Sequence, residues 1–345
     1  MEEAQKAVAP TYTPLEVGPR TIPMPKHVSP EAQQLIAMPR LNLLSADKYP
    51  PLNDKEAWRK HIAEVNVGMK VLEDLVLPLC SVTLERTTMN GVRVTVVNPS
   101  SIAPRHQNRV LINIHGGAFV YGEGMTVEAV VAAHLGQIKV VAVDYRVPPD
   151  HCFPANLEDT TTVYRALLEH YRPHSTAIFG TSAGGTYTAT TILKLRDLGL
   201  PLPAAAGVLT PACDLSGNDN GGDTTFTNEG IDSVLSGARP RDGAGPSALF
   251  IGDHDPKDPL ISPIYADFRK GFCPIYFLSG TRDFLLSSTV LLHRAVHRAG
   301  VKAELHVFEA MSHGFNIMAQ LPEAREATID MIRFFDECIE EAGRR

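Results

Sequence analysis

The 345-residue chain is 44% hydrophobic with a formal net charge of −7, enough apolar material for one large domain or one domain plus a cap. Its basic residues are scattered, which argues against a nucleic-acid surface, and five cysteines with no C-x-x-C pair argue against a zinc site or a disulfide framework and favour a reducing compartment. The acidic start "MEEAQKAVAPTYTP" lacks the basic region and apolar run of a signal peptide, and no stretch reaches the ~20 apolar residues of a membrane helix, so a soluble, cytoplasmic protein without membrane, nucleic-acid, metal or cofactor partners is expected.

Residues 1–55 are rich in proline (among them Pro10, Pro14, Pro39, Pro50 and Pro51) and read as irregular or short-helical chain wrapped over something larger. Residues 54–75 have helical periodicity and good helix formers. The rhythm then changes. "SVTLERTT" and "VRVTVVNP" flank Asn90-Gly91, a hairpin signal. Apolar, β-branched runs follow at 109–115, 139–145, 176–180, 205–211, 274–280 and 304–309, with helical stretches at 125–136, 156–171, 183–198 and 285–299 and a last helix at 322–342. Strands apolar throughout that alternate with helices predict a mostly parallel sheet covered on both faces, and the opening hairpin an antiparallel edge. Residues 213–259, rich in Gly, Asp, Asn, Thr and Pro, break the alternation. They predict a long loop, with a short helix over 228–236, at the rim of a site beside the N-terminal segment.

"TAIFGTSAGGT" (176–186) places Ser182 between Gly180 and Gly184 where a strand becomes a helix. Such a turn lifts a serine hydroxyl above the sheet, and the helix N-terminus behind it carries free N–H groups. The same residues also suit a Gly-rich phosphate turn or an ordinary strand–helix loop. A serine nucleophile needs a base and an orienting acid, in this arrangement in the order Ser, acid, His. Asp283 ends "PIYFLSGTRD" and His313 ends "ELHVFEAMSH", each just past a predicted strand. Asp253, Asp255 and Asp258 compete for the acid role, and Asp283 could instead cap the next helix. "INIHGGAFVYG" supplies Gly116, Gly117 and Ala118, whose N–H groups, with that of Ala183, form a candidate oxyanion hole. Phe119, Tyr121 and Phe315 are candidates for lining an apolar pocket, or for core. His115, Tyr145 and Arg146 read as loop anchors.

Together these residues resemble the hormone-sensitive-lipase-like (bacterial family IV) esterases of the α/β-hydrolase fold, over about 80–340. "HGGAFVYG", "DYRVPPDHCFPA", "GTSAGG", "DPLISPIYADF", "GTRDFLL" and "SHGF" are similar to that family's blocks in the same order. The resemblance implies an eight-stranded, mostly parallel sheet with helices on both faces and an N-terminal helical cap. That divides the chain into a cap segment, 1–75, and a catalytic domain, 76–345. It implies Ser182 as nucleophile, His313 as base and Asp283 as orienter, and allows a homodimer paired across the edge strand. Two positions depart from it: Ala118 stands where a third glycine is usual, and Thr181 where an acid is frequent. The Ala118 N–H should survive as a donor, provided the position does not need a positive φ, and its methyl group would narrow the space for a bulky alcohol. The expected function is hydrolysis of small or short-acyl esters through an acyl-enzyme. Lactone, carbamate or amide hydrolysis by the same residues is a close variant, and a non-catalytic small-molecule receptor the alternative from another class.

Overall fold

The computed structural model describes residues 17–38, 46–217, 221–235, 237 and 245–344. The opening residues 1–16, Pro39 and parts of the 213–259 stretch lie outside the described residues. Eight strands form one sheet in the order β1-β2-β4-β3-β5-β6-β7-β8. They are β1 (Val82–Met89), β2 (Val92–Pro99), β3 (Val110–Ile114), β4 (Val140–Val143), β5 (Thr176–Thr181), β6 (Ala205–Leu209), β7 (Ile275–Gly280) and β8 (Ala303–Phe308). β1 pairs antiparallel with β2, and β2 with β4; every pair from β3–β4 to β7–β8 is parallel. The hairpin register pairs Met89 with Val92 across Asn90 and Gly91, whose φ values are 48° and 87°. Two consecutive positive φ angles are what a two-residue turn matched to strand twist requires, and Asn-Gly supplies them.

The helices are α1 (Pro30–Ala37), α2 (Lys55–Val76), α3 (Val127–Gly136), α4 (Ala155–Leu167), α5 (Ala183–Asp197), α6 (Thr224–Thr227), α7 (Pro246–Ile251), α8 (Leu286–Arg298) and α9 (Pro322–Gly343). The central strands are buried along their whole length. Their alternate side chains feed two cores, one with α3 and α9 and one with α4, α5 and α8. This is the physical reason those strands read as unbroken apolar runs. The short helix expected over 228–236 instead forms four residues earlier, as α6, and 228–235 is turn. Asn228 follows α6, and its side-chain amide donates to the carbonyls of Thr281 and Asp283.

The N-terminal region is stitched to the sheet domain at several points. Ser29 donates to the Glu323 carboxylate of α9 through its N–H (2.6 Å) and its hydroxyl (2.8 Å). Arg20 donates to the carbonyl of Thr227. Trp58, Ile62 and Val65 bury one face of α2 against the core. His61 meets the Tyr121 hydroxyl at 2.9 Å, and Asn66 accepts from the Gly122 N–H. Thus α2 grips the loop that follows β3.

Candidate active site

β3, β5, β7 and β8 run parallel, so the loops that leave their C-terminal ends collect on one edge of the sheet. Ser182 lies between β5 and α5 with φ 61° and ψ −125°, a strained conformation for a residue with a side chain. Its N–H is held by the Leu209 carbonyl of β6 at 2.8 Å. The flanking glycines are steric necessities. A Cβ on Gly180 would lie 2.2 Å from the Ile114 carbonyl oxygen, and one on Gly184 2.0 Å from the same atom. Removing side chains there lets β5, α5 and the end of β3 pack against one another.

His313 and Asp283 meet. His313 Nδ1 lies 3.0 Å from Asp283 Oδ1, with the carboxylate fully buried and the imidazole nearly so. Asp283 Oδ1 also accepts from the Leu285 N–H (2.9 Å), and Oδ2 from the Ser279 hydroxyl (2.6 Å). These bonds fix which lone pairs face His313. The other ring nitrogen, Nε2, is buried and bonds to no described residue. Burial pulls the His313 pKa down, but Asp283, Asp232 and Glu128 outweigh it and hold the imidazole above its ordinary range. Asn316 donates to the Thr181 hydroxyl at 2.9 Å, tying the His313 loop to the residue before Ser182. That contact gives Thr181 its role in the turn. The competing acids stand elsewhere: Asp253 and Asp255 are exposed, and Asp255 and Asp258 accept from N–H groups of their own turns.

The oxyanion loop departs from the sequence expectation at Gly116. Its N–H donates to Glu128 Oε1 at 2.9 Å and is therefore not available to substrate. Glu128 Oε2 accepts from the Thr181 N–H (3.0 Å) and the Asn113 amide (3.1 Å). One buried carboxylate on α3 thus clips the loop after β3 to the turn that carries Ser182. Its burial raises its pKa to about 7 against the pull of those donors. The N–H groups of Gly117, Ala118 and Ala183 have no partner among the described residues. Ala118 (φ 47°) and Phe119 (φ 73°) are both left-handed, because the next turn closes with Val120 and Tyr121 N–H on the Gly117 carbonyl. Position 118 does adopt a positive φ, so the proviso attached to its N–H as a donor is not met, although that N–H has no partner among the described residues.

Two pocket candidates are core instead. Tyr121 is fully buried with its hydroxyl on His61, and Phe315 is buried against Phe308 beneath the sheet edge. Phe119 is nearly buried, stacked on Phe250 and edge-on to Tyr187. His115, stacked on Tyr145 at 4.2 Å, uses Nδ1 on the Gly116 carbonyl, while the Tyr145 hydroxyl donates to the His115 carbonyl. Arg146 pairs with Glu158 and Asp159. All three are loop anchors.

Sequence reasoning missed Glu128, Asp232, Ser279 and Asn316. Glu128 had a signal, as the one acid in the apolar run "VEAVVAAHLG". Asp232 had none among the many acids of its segment.

Comparison with known proteins places the fold and the family. A family model described as alpha/beta hydrolase fold matches residues 111–317. The crystal structure of an esterase, E25, superposes with a TM-score of 0.85 at 32% identity over 94% of this chain and 98% of that one. An esterase from the bacterial hormone-sensitive lipase family superposes at 0.73 with 30% identity over 90% of this chain and 99% of that one. An acetyl-hydrolase of Streptomyces hygroscopicus is 32% identical over 65% of this chain and 74% of its own length. The chain is a carboxylic ester hydrolase and belongs to the alpha/beta hydrolase fold family, in its hormone-sensitive-lipase-like branch.

Proposed function

We propose that the enzyme hydrolyses small, short-acyl esters through an acyl group carried on Ser182. Ser182 Oγ attacks the carbonyl carbon while His313 Nε2 takes its proton. The oxyanion forms against the N–H groups of Gly117, Ala118 and Ala183. His313 then protonates the departing alcohol. It takes a proton from the water whose oxygen attacks the acyl carbon, and as the acyl C–O bond to Ser182 breaks it returns that proton to Oγ, releasing the acid. The observation that carries this reading is the buried His313 Nε2 with no described partner, on a ring whose other nitrogen is fixed by Asp283. A buried polar atom without a partner is costly in a core and useful in an active site.

The short-acyl preference is supported by the acetyl-hydrolase relative. The N-terminal segment 1–75 acts as a cap in this reading, with α2 fixing the oxyanion loop through Tyr121 and Gly122. Free thiols fit a reducing, cytoplasmic setting. The half-exposed edge strand β8 leaves room for a second copy to pair. The test is turnover of p-nitrophenyl acetate, butyrate and decanoate by the wild type and by Ser182→Ala. Turnover falling with chain length, and lost by several orders of magnitude in Ser182→Ala, is expected. Near-wild-type turnover in that variant would overturn the assignment.

A further inference from the structure

The segment between β6 and β7 does more than border the site. Its 228–233 stretch is bonded to both catalytic loops from behind. The Asn228 amide donates to the Asp283 carbonyl at 2.8 Å, and the Ser233 N–H donates to the Ser312 hydroxyl at 3.2 Å. Between them Asp232 is fully buried. Its Oδ1 accepts from the N–H groups of Val234 (2.7 Å) and Leu235 (3.1 Å), which closes its own turn. Its Oδ2 accepts from the N–H of Phe284 (2.8 Å) and of His313 (3.2 Å). One oxygen therefore spans the residue after Asp283 and His313 itself, joining the loops of an acid and a base that lie thirty positions apart in the chain.

We propose that Asp232 is a positioning residue for the acid–base pair: its carboxylate draws the Phe284 and His313 backbones together and presents a second negative charge to the imidazolium. The proposal rests on the triad reading above and deepens it. N–H groups held on a carboxylate are charge-assisted bonds, stronger than neutral ones. They fix the separation of two loops that leave different strands. When His313 takes the serine proton it becomes a cation in a dry site. A second buried carboxylate stabilises that cation along with Asp283, and so raises the proton affinity of the base. Among the described residues, Asp283 after β7, Asp232 between β6 and β7 and Glu128 on α3 each favour the charged imidazole, while burial raises the carboxyls of Asp232 and Glu128 themselves.

Asp232→Asn keeps the size and removes the charge. An amide offers one acceptor oxygen, so its NH2 must face two N–H donors, either in its own turn or at the catalytic loops. The expected result is kcat for p-nitrophenyl acetate lowered about 10–100-fold with KM little changed, and the acid-side inflection of kcat/KM moved about one pH unit lower. Asp232→Glu, which keeps the charge on a longer arm, is expected to lose rate but hold the inflection nearer the wild-type pH. Asp232→Ser provides a second neutral variant in case Asn does not fold. Asp283→Asn is measured beside them. If Asp283→Asn keeps wild-type activity, the triad reading itself fails. If Asp283→Asn collapses while the neutral Asp232 variants keep the wild-type pH profile, whether or not their rate falls, the positioning proposal is overturned.

Discussion

Carboxylates face the His313 imidazole from separate elements, and their balance against burial sets when the base is free. The base accepts a proton only when neutral. Its pKa is held above the ordinary value of about 6.5, so kcat/KM is expected to rise with pH through an inflection above 6.5. An inflection at or below 6 would mean that burial, not the surrounding carboxylates, sets the His313 pKa. Glu128 acts at the other side of the reaction. It accepts three donors with two oxygens, and Glu128→Gln leaves one of those oxygens as an NH2 facing an N–H. The oxyanion loop then loses its tie to the Ser182 turn. We expect kcat to fall about 10–100-fold, less than the ~10²–10³ that follows outright loss of an oxyanion donor, with KM close to wild type; a change confined to KM would place Glu128 in binding instead. Ala118 offers a gentler test. Its left-handed backbone costs an alanine about 1 kcal/mol that glycine does not pay. Ala118→Gly is therefore expected to leave the melting temperature unchanged or slightly raised while keeping the N–H donor. If its methyl group faces the alcohol, kcat/KM for tert-butyl acetate rises relative to n-butyl acetate; an unchanged ratio removes it from selectivity.

At the scale of elements, the turn at Ser182 and the helix α2 carry different burdens. Gly184 brings α5 against the end of β3, where an added Cβ would sit 2.0 Å from the Ile114 carbonyl oxygen, on backbone that cannot move aside. Gly184→Ala is thus expected to destabilise by more than the ~1–3 kcal/mol of ordinary overpacking, read as a lower melting temperature or loss of soluble protein. A wild-type melting curve would mean the turn has slack that the packing does not show. α2 buries Trp58 completely, stacked near Tyr49 and edge-on to His61. Trp58→Ala should cost about 3–5 kcal/mol. Since α2 also holds Tyr121 and Gly122, activity should fall along with stability. Much of this scale was legible in the sequence. The strands show as unbroken apolar runs because both faces are covered, and Asn90-Gly91 fixes the hairpin through its two positive φ angles. The misplaced helix of 228–236 was not legible. The Asn228 side chain just past α6 bonds to the carbonyls of Thr281 and Asp283, far along the chain, and no local propensity contains that contact.

The whole molecule arranges two cores on a single sheet and gathers the chemistry on the edge where parallel strands end. That explains which parts of the site could be read in advance. Ser182, Asp283 and His313 each follow a strand, so chain order and strand ends place them on one edge, and the structure brings Asp283 and His313 within 3.0 Å. The supports could not be read in the same way. Glu128 reaches the site from a helix in the opposite core, and Asp232 from a loop whose acids look alike. Tyr121 and Phe315 turn away from the site, because a side chain beside a catalytic loop can face either its mouth or its foundations. The most direct test of the central claim is mass mapping of the enzyme quenched in acid during steady turnover of p-nitrophenyl acetate. The account predicts an acetyl group on the peptide that contains Ser182, increased when water attack is slowed. Acetylation at another residue, or turnover with no covalent acyl group at any time point and no burst of p-nitrophenol, would contradict it.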